Sequence, residues 1–216
     1  MPSILAICAA TVSVLAAMLA APHDAPAAQP QWAAPPEGAV SIDLAAVNGS
    51  GCPPGTTAVD VASGKDAFVV TYDTYHAQIG VGAGPTDFRK NCQLSIIVRA
   101  PEGYSYAING VEHRGHASLA AGASGVQRSN YYYAGLPTNA SRDHRFTGPI
   151  DEEWQTIDAF DPASLIFSPC GAERNLNINT EIRAIAGDSD RTTTSSSMTM
   201  DSTTSSIYRF IWRTCD

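Results

Sequence analysis

At 216 residues, with 13 basic and 21 acidic side chains and a net charge of -8, the chain lacks the basic stripe that phosphate binding needs, so nucleic acid is not an expected partner. Roughly 190 residues remain after the leader described next, enough for one domain with a sizeable core. The charge favours solubility and does not dictate a fold.

Residues 4–21 form an apolar run rich in Ala, Leu and Val, and a polar break follows at His23 and Asp24. Ala25-Pro26-Ala27 then offers a small-x-small cleavage pattern, so residues 1–27 are expected to be a removed export signal that takes Cys8 with it. A membrane anchor is the rival. The run reaches spanning length only at its low end, Ala dilutes it, and no other stretch could cross a bilayer. The mature protein is therefore expected to be secreted, extracellular and free of membrane. Residues 28–40 are dense in Pro and Ala and read as a flexible lead-in, with Trp32 either free or docked. One domain is expected over residues 41–216.

Past Val40 the chain breaks into short apolar runs between turn residues. Ala67–Tyr72 is a strand candidate, Thr86–Lys90 could make one helical turn, and Gln93–Arg99 is a β-branched strand bounded by Cys92 and Pro101. Glu112–Ser118 and Gly125–Tyr133 are longer, more polar strands. Glu152–Asp158 reads as a helical turn or an irregular strand, and Ser164–Ser168 is short and apolar. In Asn175–Ala186 the alternation is clear: Leu176, Ile178, Ile182 and Ala184 share one face, and Asn175, Asn177, Asn179, Glu181 and Arg183 share the other. The Ser/Thr-biased stretch Thr192–Ser206 reads as an exposed loop or linker or as a strand with a hydroxyl face, and a strand at Ser195–Met200, where methionines alternate with hydroxyls, is preferred. In the closing strand Tyr208, Phe210 and Trp212 lie on one face. No helical period persists over three turns. Many short strands with Gly and Pro between them predict an all-β fold, an antiparallel β-sandwich of jelly-roll or Ig-like arrangement, with a closed barrel as the alternative.

The stretches NGSGCPPGT (Asn48–Thr56), PTDFRKNCQLSI (Pro85–Ile96), SPCGAERNLNINTEIRA (Ser168–Ala184) and YRFIWRTC (Tyr208–Cys215) resemble a secreted fungal and bacterial family, domain of unknown function 4360. The likeness runs from about Val47 to Cys215. It implies secretion, one β-rich domain and two disulfides, and it brings no activity or catalytic residue. Cys52, Cys92, Cys170 and Cys215 allow three connectivities. The sequential pattern, Cys52 with Cys92 and Cys170 with Cys215, is the expected one, in keeping with an oxidising compartment. A metal reading is poor, because no C-x-x-C or cysteine-histidine spacing appears.

No catalytic residue, metal ligand or cofactor is assigned. Gly-x-Ser-x-Gly, H-E-x-x-H and the P-loop are absent, and Ser124 sits in a Gly-Ala-Ser-Gly turn. His113 and His116, three apart on a strand, would face opposite ways. The expected role is non-enzymatic extracellular binding by a monomer, with cell-wall polysaccharide or another glycan as partner, or an effector role. The candidate ligand face is Tyr131, Tyr133, Trp154, Asn177 and Asn179, aromatic rings and amides being what a sugar platform uses. Period two already divides the tyrosines, with Tyr131 and Tyr133 opposite Tyr132, so one of the two faces should be core. One alternative is a polysaccharide hydrolase using the acidic cluster Asp151, Glu152 and Glu153, since paired carboxylates flank the bond in such enzymes. Another is a wall-structural or adhesive protein. Asn48 and Asn139 head glycosylation sequons, in turn-like contexts.

Overall fold

The computed structural model describes residues 32–36, 38–62, 66–200 and 205–215. The expected signal at 1–27, with Cys8 and His23, lies outside them, as does the start of the lead-in. Twelve strands follow in order: β1 Ser41–Asn48, β2 Thr57–Val61, β3 Ala67–Tyr72, β4 Tyr75–Gly80, β5 Arg89–Arg99, β6 Tyr104–Leu119, β7 Ser124–Tyr133, β8 Ala140–Thr147, β9 Ile150–Ala159, β10 Leu176–Ile185, β11 Ser195–Met200 and β12 Ser206–Thr214.

They form two packed antiparallel sheets, as the alternation predicts. The five-stranded sheet has the order β1-β5-β10-β7-β8. The other runs β2-β3-β12-β6-β11-β4, with β9 added on β6. In that sheet the long strand β6 carries β9 on one edge and β11 followed by β12 on the other. Each sheet turns its apolar rows inward. Ile178 and Ile182 from β10, Leu94 and Ile96 from β5, and Met198 and Met200 from β11 are fully buried. Tyrosines fill much of the remaining space: Phe68 stacks on Tyr208 at 4.7 Å, and Tyr106 meets Tyr133, Phe210 and Trp212 edge-on or tilted at 5.2–5.5 Å. Such rings contribute large buried areas and favour these offset geometries.

Both bridges have the sequential connectivity. Cys52 joins Cys92 and Cys170 joins Cys215, with Cα separations of 5.4 and 6.0 Å. The first ties the β1–β2 loop to β5. A Cβ on Gly49, whose φ is +144°, would fall 2.1 Å from the Asn91 carbonyl oxygen, so the NGSGC segment needs glycine to lie this close to β5. The second ties the β9–β10 connection to the end of β12.

Several local expectations are revised. Pro85–Phe88 is a turn leading into β5, with no helical turn. Glu152–Asp158 lies inside the regular strand β9. Ser164–Ser168 is no strand: a single 3-10 turn at Pro162–Ser164 is capped by Asp161, and Ser168 then donates its backbone N–H to Tyr106. Trp32 is docked: it bridges to Arg213, and its ring lies 5.9 Å from Phe167, which the Arg213 guanidinium covers at 4.0 Å.

Candidate ligand face

Strand β10 is the centre of the five-stranded sheet. Its even positions are held in the core; Thr180, for instance, is hydrogen-bonded to the Tyr75 hydroxyl of the opposite sheet at 3.1 Å. Period two then forces Asn177, Asn179, Glu181 and Arg183 onto the outer face. Cross-strand register assembles rows there from residues far apart in sequence. One row runs Asn48, Gln93, Asn179, Asn130, Ser141 across β1, β5, β10, β7 and β8. The next runs Asn91, Glu181, Arg128, Asp143, and on the other side lies Ser95, Asn177, Tyr132.

A trough of about 220 Å³ follows β10 through these rows, floored by Asn179 and Glu181 and walled by Asn91, Gln93, Arg128 and Asn130. Asn130 donates to Ser141 Oγ at 2.7 Å and to Asn139 Oδ1 at 3.1 Å. Asn179 differs: its buried Oδ1 accepts no hydrogen bond from any of the described residues. Arg128 grips Asp143 with Nε and Nη2 at 2.7 and 2.6 Å. That pairing holds the Asp143 carboxyl below the usual carboxylate range, with Arg145 and Arg183 adding to the effect, and raises the Arg128 guanidinium. Glu181 is bound by both Arg89 and Arg183.

Of the expected ligand face, Asn177 and Asn179 belong here and the aromatics do not. Tyr131, Tyr133 and Trp154 are 4%, 2% and 6% exposed. Tyr131 and Tyr133 point between the sheets, where the Tyr133 hydroxyl donates to the Tyr106 carbonyl at 3.0 Å. Trp154 packs on Phe146 at 5.2 Å. None can stack on a sugar in solvent. Tyr132, in the opposite phase, is the half-buried tyrosine beside Asn177. The residues that sequence reasoning did not assign to the face are Gln93, Asn91, Arg128 and Asn130; only the pairing of β5 and β7 with β10 brings them there.

Asn48 ends β1 and is exposed, and Asn139 is exposed just before β8, so both sequon asparagines flank the amide row. Asp151, Glu152 and Glu153 are exposed on β9, in the other sheet; Asp151 lies 3.4 Å from His116. His113 is fully buried while His116 faces outward. Among the described residues no group of three or more His, Cys, Asp or Glu could hold a metal ion, and no helix is long and apolar enough to cross a membrane. A wider depression of about 400 Å³ lies between the β5–β6 loop and the β9–β10 connection, where Arg99 is already engaged by Asp43 and Glu173.

A family model described as Domain of unknown function (DUF4360) matches residues 38–215. A protein of Arthroderma benhamiae described as an uncharacterized secreted protein is 34% identical over 182 residues, covering 84% of this chain and 74% of that protein. No solved structure matches.

Proposed function

The chain belongs to the family of domain of unknown function DUF4360, and from that premise we propose that it is a secreted, non-enzymatic protein that binds a glycan on the outer face of its five-stranded sheet. Its extracellular location is supported by the secreted relative, by two disulfides and by the apolar leader at residues 4–21. The observation that carries the binding role is the amide row Gln93, Asn179 and Asn130, which lines the trough and continues to Ser141 on β8. A carbohydrate presents hydroxyls that donate and accept in turn. Amide side chains offer both functions from one residue, which suits them to read such a surface. Tyr132, beside Asn177 in the neighbouring row of the same face, supplies an aromatic body.

Polysaccharide pull-downs and a glycan array test this reading, comparing the wild type with Asn179→Ala/Asn130→Ala. Retention of at least one polysaccharide by the wild type, weakened about tenfold or more in the double variant at unchanged melting temperature, is the expected result. Equal retention of both proteins, or of neither, overturns it.

A further inference from the structure

Beyond the Glu181 row lies a fourth row on the same face: Arg89, Arg183, Val126, Arg145 across β5, β10, β7 and β8. With Arg128 it places four arginines in one corner, against the two carboxylates of Glu181 and Asp143, on a chain whose net charge is -8. From this corner, and resting on the glycan-binding reading, we infer that the ligand is an acidic polysaccharide, a polyuronate, whose carboxylates meet the arginines while its hydroxyls meet the amide row.

The two carboxylates organise the corner and do not neutralise it. Glu181, only 6% exposed, takes Nε and Nη2 of Arg89 and Nε of Arg183. Asp143 takes Nε and Nη2 of Arg128. Each guanidinium is thereby fixed in direction with N–H groups left over, and the side chains of Arg89, Arg183 and Arg128 remain 46%, 36% and 45% exposed. Arg145 is exposed and makes no ion pair among the described residues. Fixed, planar, partly open guanidinium groups are suited to two-point capture of carboxylates, and orienting them beforehand reduces the entropy lost on binding.

Size argues for a polymer. Arg89 and Arg145 stand three strand spacings apart, roughly 14 Å across the sheet, wider than one sugar ring. The trough continues from this corner along β10 to Asn179, so a chain lying in it would meet cationic and amide groups in turn. Nucleic acid would meet the same arginines, but its phosphodiester backbone carries few hydroxyls for the amide row to read, whereas each ring of a polyuronate carries several.

The test is affinity electrophoresis and calorimetry of the full secreted protein with polygalacturonate, with the same polymer fully methyl-esterified, and with a neutral β-glucan. Binding of polygalacturonate, weakened at least tenfold by esterification and progressively by salt, is expected. Arg145→Gln should weaken it about tenfold with little change in melting temperature, because this exposed side chain makes no ion pair among the described residues and acts on Asp143 only at a distance. Equal binding of the esterified polymer or the β-glucan, or an Arg145→Gln variant that binds as the wild type does, overturns the acidic class and leaves the glycan face standing. Binding of none of the polymers, nor of any glycan in the array above, removes both.

Discussion

His113 of β6 and Tyr131 of β7 meet between the two sheets, with Nε2 hydrogen-bonded to the tyrosine hydroxyl at 3.1 Å. The other ring nitrogen, Nδ1, is hydrogen-bonded to Ser206 Oγ at 2.8 Å, so a neutral imidazole is fully satisfied by two hydroxyls that can each donate or accept. Burial, aided by the nearby His144, pushes the His113 pKa from its ordinary 6.5 down to about 3. Between those values the unfolded chain takes a proton that the folded chain refuses. Stability from this group is therefore unchanged above pH 6.5 and falls on acidification toward pH 3, by up to about 1.4 kcal/mol per pH unit. Urea denaturation of the wild type and His113→Gln at stepped pH should show a shallower acid slope in the variant. Parallel slopes would refute the assignment.

The bridges close segments of 40 and 45 residues. Chain entropy gives each about 4 kcal/mol of stabilisation. Cys170→Ser/Cys215→Ser should lower the unfolding free energy by about that amount, and full reduction of the wild type, which opens both bridges, by about twice as much. A double variant as stable as its parent would show that the β9–β10 connection is held by other contacts.

Gly115 sits where β6 passes under Trp154. A Cβ there would lie 1.8 Å from the Thr199 carbonyl oxygen and 2.5 Å from the indole ring. The backbone oxygen cannot yield without parting β11 from β6, so Gly115→Ala should cost about 3 kcal/mol or more. Gly103→Ala, with no atom within 4 Å of its Cβ but a positive φ of 80°, should cost less. Thermal melts of the two variants give the order directly.

Tyr132 and Tyr133 differ only in phase. Tyr133→Ala opens a cavity beneath Tyr106 and should cost about 3–5 kcal/mol. Tyr132→Ala should cost less than half as much, while weakening any glycan held on the outer face. Guanidine titration compared with polysaccharide retention separates the two effects.

The strands that the alternation made plain are those with clean inward rows, such as Ile178 and Ile182 in β10 or Met198 and Met200 in β11. β8 offers no such signal, because its inward positions include Arg142 and His144. These are accommodated by polar and aromatic partners: His144 Nε2 lies 3.0 Å from Asp158 Oδ1, and the Arg142 guanidinium covers Phe160 at 4.6 Å. β1, β2 and β4 are short or half-buried and show little contrast between their faces. For the ligand face, period two picked out Asn177 and Asn179 from within one strand. It could separate Tyr132 from its two neighbours, but three tyrosines in succession do not reveal which side is wet. The arginine corner depends on the register of four strands drawn from residues 89 to 183, a non-local pairing that no window of sequence contains.

Strand β9 pairs only with β6 among the described residues, and its outward side chains include Ile157, 67% exposed. A bare margin of that length invites another copy to add itself, strand by strand, into a growing aggregate. Asp151, Glu152 and Glu153 crowd the beginning of that margin with negative charge, which an added strand would have to lie against and partly desolvate. The acidic triplet thus raises the cost of edge-to-edge growth along β9.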